Sequence, residues 1–119
     1  MAETTSNADS LDVDLRATID RSLRHPVMFF FSSGAVWLAL SIILGLIASA
    51  KKHAPDFLSC FSFLDAGKVD AAHMSTLTYG WGAQAAFGML IWLMARLSRK
   101  ECTASGIILV AGHVWNAAV

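Results

Sequence analysis

The chain has 119 residues, 55% of them hydrophobic and 15% charged, with a formal net charge of zero; ordinary soluble domains carry about a quarter charged residues. The neutral balance offers no basic surface for nucleic acid, and the apolar content excludes disorder over most of the length. Two cysteines, Cys60 and Cys102, are too few for a disulfide scaffold and lack metal-ligand spacing, so the composition favours a membrane protein.

Residues 1–10 are small and polar and read as a disordered tail. From Leu11 a short amphipathic helix follows: Leu15, Ile19 and Leu23 repeat at four-residue spacing, and Arg16, Asp20 and Arg24 can pair on another face. This divides the chain into a cytoplasmic tail, 1–24, and a transmembrane domain, 25–119. Val27 to Ala50 is a run of 24 residues without charge, and Pro26 ahead of it suits the first turn of a helix. Ala48-Ser49-Ala50 has the small-residue look of a signal cleavage site, but the apolar run is too long and the segment before it too acidic for a signal peptide.

The loop Lys51 to Asp70 carries Phe57, Phe61 and Phe63, which suit the membrane interface on a short helix around Asp56 to Leu64. Ala71 to Ala95 is a second uncharged run, of 25 residues, and Thr103 to Val119 a third, of 17. A span needs about 20 apolar residues at ~1.5 Å rise, so the first two runs qualify and the third looks cut short. No run alternates polar and apolar residues as a membrane β-strand does. The expected fold is all-α and polytopic: two complete spans near 27–50 and 71–95, and a third, truncated, near 103–119. Basic residues are dense before the first span (Arg16, Arg21, Arg24) and in the second link (Arg96, Arg99, Lys100), which predicts a cytoplasmic N-terminus. Cys60 and Cys102 then fall on opposite sides of the membrane.

Of the four histidines, His25 and His53 sit among polar residues at span boundaries. His113 lies within the third run, where a polar side chain usually faces protein or a cavity. His73 opens the second span. At about 100° per residue, Gly80 and Gln84 each fall roughly 20° from it, and Gly88 about 60°. Two readings of this face stay open. A heme ligated by the imidazole could rest over the gap at Gly80; or the face packs on another helix, with Gly80 allowing close approach and Gln84 bonding across. The first span has a strip of its own in Gly34, Ser41 and Gly45.

The segment His73-Met-Ser-Thr-Leu-Thr-Tyr79-Gly80-Trp81-Gly82, with Gly67-Lys68-Val69 ahead of it, resembles the start of the second helix in the catalytic subunit I of C-family (cbb-type) heme–copper cytochrome c oxidases. The stretch Asp-Arg-Ser-Leu-Arg-His-Pro before the first span is also similar, and Trp115-Asn116 fits more loosely. The resemblance implies that His73 is an axial ligand of the low-spin heme b; Lys68 keeps a basic group near that site and is the candidate contact for a heme propionate. Asp70-Ala71 stands where the family has Arg-Pro, and Ser75 where it has Asn. The resemblance further implies a bacterial inner membrane, a cytochrome c donor, other oxidase subunits, and more helices of the same subunit. The high-spin heme and copper would sit on those later helices. On this reading the 119 residues are the N-terminal piece of an oxidoreductase and lack its active site. The alternatives are a small non-catalytic membrane subunit that packs through Gly34, Gly45, Gly82 and Ala86, or a small heme-b protein clamped by His73 of two chains.

Overall fold

The computed structural model describes residues 2–58 and 60–119, with residues 2–9 and 62 described by backbone alone. Among the described residues all regular structure is helical and no strand occurs. Helix α1 runs from Ala2 to His53, 52 residues. At ~1.5 Å per residue it should measure about 78 Å, and the molecule's long axis is 77 Å, so α1 is essentially straight. Its part Ser10–His53 is the one helix among the described residues that is long and apolar enough to cross a membrane.

Two expectations change at this end. The tail expected over residues 1–10 is helical from Ala2, and Met1 lies outside the described residues. Pro26 stands inside α1 and does not open it. A buried proline in mid-helix removes one backbone hydrogen bond and costs about 3 kcal/mol, so the segment ahead of it needs its own tertiary support. That support is visible. Ile19 and Leu23 are buried, and Arg96 grips Asp20 through Nε at 3.0 Å and Nη2 at 2.7 Å. Arg99 pairs with Asp12, which also holds Arg16 at 2.6 Å. Cys102 donates its backbone N–H to Ser22 Oγ at 3.1 Å. Once this stretch is docked, helix extends toward Ala2 without a new nucleation step. The pairing expected among Arg16, Asp20 and Arg24 is therefore redistributed: Asp20 is drawn away to Arg96 and Arg16 to Asp12.

After α1 the chain turns, and Leu58 takes a left-handed conformation with φ of 57°. The helix expected around Asp56 to Leu64 is reduced to a 3-10 turn, Ser62–Leu64; Ser59, within that range, lies outside the described residues. Positive φ at a branched residue breaks the helical ladder. Then α2 (Ala66–Ser75), a π-helical segment (Thr76–Gly82) and α3 (Ala83–Ser98) follow without a break. Arg99, left-handed at φ 52°, ends α3 by donating its N–H to the Ala95 carbonyl. Helix α4, Ser105–Ala118, lies against α1.

The core is small. Phe30, Ala48 and Val69 are buried beside Ile19 and Leu23, whereas Val36, Ile42, Leu46, Leu97 and Ile107 point outward. Apolar residues thus cover the outside as well as the seam, as expected for helices whose surroundings are not water.

Because the Arg96–Asp20 pair is half-exposed, it contributes at most about 1 kcal/mol. Asp20→Asn should leave global helicity unchanged while speeding tryptic cleavage after Arg16 and Arg21; unaltered cleavage would show that Ile19 and Leu23 hold this segment alone.

Candidate functional site

Helix α1 and the α2–α3 helix run antiparallel, and the residues of the His73 face meet α1 one after another. His73 meets Ser41 and Gly45, Gly80 meets Trp37, Gln84 meets Ser33 and Gly34, and Gly88 meets Phe30 and Phe31. Every one of these contacts is a small residue opposite a larger one, so the seam is a close-packed ridge of alternating partners. The small strip of α1 is where the His73 face docks.

At the His73 end, Nδ1 lies 2.8 Å from the Ser41 carbonyl oxygen. A carbonyl only accepts, so this contact puts a proton on Nδ1. The Ser41 hydroxyl, 3.0 Å from the same nitrogen, then donates to the His73 carbonyl at 3.2 Å. In the neutral ring Nε2 keeps its lone pair. The imidazole lies against Gly45, where a methyl group would come within 2.9 Å of Cε1. Ser41 is fully buried and His73 half-buried.

The π-helical segment begins three residues after His73. There the Ala83 N–H reaches back five residues to the Thr78 carbonyl, and Thr76 Oγ1 donates to the carbonyls of Ala72 and His73 at 2.8 and 3.0 Å. Long π stretches are rare and cluster at functional or strained sites. The widened turn presents Gly80 directly to Trp37: a Cβ there would sit 2.7 Å from Trp37 Cβ and Cγ. The space expected to face a ligand over Gly80 is thus filled from within the chain, by a residue the helical wheel of the second span could not show.

In the middle of the seam Gln84 is fully buried. Its Oε1 accepts from the Ser33 hydroxyl, and its Nε2 donates to Asn116 Oδ1 at 2.8 Å. Asn116 Oδ1 also accepts from Trp37 Nε1 at 2.6 Å, and Asn116 Nδ2 donates to the Gly112 carbonyl at 3.0 Å. Trp115 Nε1 donates to the Tyr79 carbonyl, inside the π segment, at 3.1 Å. One polar cluster thus joins α1, the π segment, α3 and α4. Among the described residues no buried side-chain nitrogen or oxygen lacks a partner. Beside it an apolar cleft of about 250 Å³ opens between Phe30, Phe87, Ile91, Ile108, Ala111 and Trp115.

The remaining expected residues lie apart. Lys68, in the first turn of α2, is exposed, and five residues of helix put it about 140° round the axis from His73. His113 stacks on Phe29 with ring centroids 4.5 Å apart, and its Nδ1 bonds the Leu109 carbonyl at 2.8 Å. Among the described residues no three His, Cys, Asp or Glu side chains form a group that could hold a metal ion. Ser33 and Trp37 are the participants that sequence reasoning missed. Trp37 carried a signal: it lies well inside an uncharged run, whereas membrane tryptophans favour the interfaces.

What fold and site define is a helical protein with, among the described residues, one helix of membrane-crossing length and a buried polar seam beside a half-buried histidine. No family model, curated protein or solved structure matches the chain.

Removing the Gln84 amide would cost one hydrogen bond each to Ser33 and Asn116, which keep Phe30 and Trp37 as partners in a half-buried setting, so the loss is about 1 kcal/mol per bond. Gln84→Leu should therefore lower the denaturant midpoint followed by circular dichroism, and loosen α4 first. An unchanged midpoint would mean that the amide network contributes nothing to helix docking.

Proposed function

We propose that this chain is a multi-pass bacterial inner-membrane unit with a cytoplasmic N-terminus, and that it supplies His73 as one axial ligand of a low-spin heme b. In this reading it forms the N-terminal part of subunit I of a cbb-type cytochrome c oxidase. The observation that carries the reading is the hydrogen bond from His73 Nδ1–H to the Ser41 carbonyl, 2.8 Å long. Ligating histidines characteristically donate their second ring nitrogen to a carbonyl or carboxylate, which fixes the ring and leaves the other nitrogen free to bind.

The donor set fits a heme in part. His73 would hold the iron through Nε2, Ser41 sets its tautomer, and Gly45 leaves the ring room against α1. Bound there, a heme would supply one-electron transfer between a cytochrome c donor and the oxygen-reducing centre, which needs a second histidine and the high-spin heme and copper of further helices. Lys68 is the candidate propionate contact. Gly80 has no part in this proposal, since Trp37 covers it.

A second reading has its own observation. Trp37 on Gly80 and the Ser33–Gln84–Asn116 cluster close most of the same face within the chain, which is what a non-catalytic subunit acting through helix packing requires.

The two readings separate spectroscopically. The protein purified from its native membrane is expected to show a low-spin heme b spectrum that His73→Ala abolishes while helicity is retained. A spectrum that survives the change, or a heme-free wild type of full helicity, would overturn the ligand role and leave the packing reading. For orientation, a reporter fused after Phe61 should be active only on the outer side of the membrane; cytoplasmic activity would invert the topology.

A further inference from the structure

A groove runs along the outside of the seam between α1 and α3, at the end where the charged residues stop. Its upper part, about 290 Å³, lies beside Asp20, Arg24, Val27, Met28 and Trp92. Its lower part, about 260 Å³, is bounded by Val27, Phe31, Met89 and Trp92. Val27 and Trp92 wall both parts, which places the two end to end. From Arg24 to Phe31 the helix advances ~10 Å.

Charge is confined to the mouth of this groove. Asp20 is neutralised there by the two hydrogen bonds from Arg96, whose guanidinium also sits 5.4 Å from the Trp92 ring centre. Arg24 and Arg21 make no ion pair among the described residues. Arg24 falls on the same face of α1 as Val27, Met28 and Phe31, within about 60°, with Arg21 one turn back on that face. Arg24 also stands three residues before the uncharged run begins at Val27. That is the level at which a span passes from hydrocarbon into headgroups. Below Arg24 every wall is apolar.

We infer that this groove binds an anionic glycerophospholipid, with the headgroup phosphate on Arg24 and Arg21 and one acyl chain laid along Val27, Met28, Phe31 and Met89. The inference rests on the membrane-spanning reading and is independent of any heme. Arginine suits the headgroup because its planar fork donates two parallel hydrogen bonds to phosphate. The acyl chain follows from the apolar floor, which a soluble anion would leave empty. Basic pockets between spans at the cytoplasmic leaflet recognise anionic lipids by this combination. Trp92, ringed by the groove and covered at one end by Arg96, would mark the boundary between headgroup and chain.

The test titrates the full-length chain in detergent with phosphatidylglycerol or with phosphatidylcholine of the same acyl chains, and counts retained lipid by native mass spectrometry. Wild type should retain phosphatidylglycerol about fivefold more strongly, one juxtamembrane charge being worth a factor of this order. Arg24→Gln should lose the preference and Arg24→Lys keep most of it. In wild type the preference should also fade as salt is raised, which tests the same contact should Arg24→Gln fail to fold. Equal retention of the two lipids, a preference indifferent to Arg24→Gln in a folded variant, or displacement by millimolar inorganic phosphate would each overturn the inference. Carbonate extraction of wild-type membranes separates the two levels. A chain released by carbonate overturns the membrane reading and the lipid site together, whereas a chain that stays in the membrane without the lipid preference overturns the lipid site alone.

Discussion

Gln84 is an amide buried in the middle of an apolar helix, and such a group must find its hydrogen bonds inside the protein. The rest of the arrangement follows from how it does so. Its oxygen takes the Ser33 hydroxyl and its nitrogen gives to Asn116, which sets the register of α3 on α1 and brings α4 against both. Trp37 completes the set on Asn116 at 2.6 Å. To reach it, the Trp37 side chain lies directly on the π segment at Gly80, where a Cβ would come within 2.7 Å of it. Sliding α1 by one turn would break the Ser33–Gln84 and Trp37–Asn116 bonds while leaving Gln84 on Asn116, so these two bonds select one register of α1 where apolar contacts alone would tolerate several.

The same register decides the surroundings of His73. Two turns toward the other end of the seam, Ser41 and Gly45 come opposite the imidazole. The π segment, Thr76–Gly82, lies between the histidine and Gln84. It lets the helix keep both residues on α1 although their contacts there are set by different partners. A widened turn also changes which backbone carbonyls are engaged, and Trp115 takes up the one at Tyr79. His73 and α4 thus engage the same stretch of helix, the histidine three residues ahead of the π segment and Trp115 at its Tyr79 carbonyl.

Much of this was legible from the residues. The grouping of His73, Gly80, Gln84 and Gly88 on one face is what α1 covers, and the strip Gly34, Ser41 and Gly45 is what covers it. At Gly80 the neighbour within the chain is Trp37, which a helical wheel of that helix does not contain. The tail expected to be disordered over residues 1–10 is helical from Ala2; local composition says nothing of a helix propagated from a docked neighbour. Pro26 suits a helix start on local grounds; burial of Ile19 and Leu23, helped by the ion pairs from Asp20 and Asp12 to the end of α3, carries the helix through it.

By itself the amino-acid sequence determined the helical class, the apolar stretches, and the side of the second helix that would be buried, because these depend on composition and on a periodicity of 3.6 residues. Only the tertiary structure decided what lies against that side: Trp37 over Gly80, Ser41 on the His73 ring, Asn116 on Gln84. Such pairings join residues from 32 to 79 positions apart in the chain, and no local pattern specifies them. They are set by which register leaves no buried polar group without a partner.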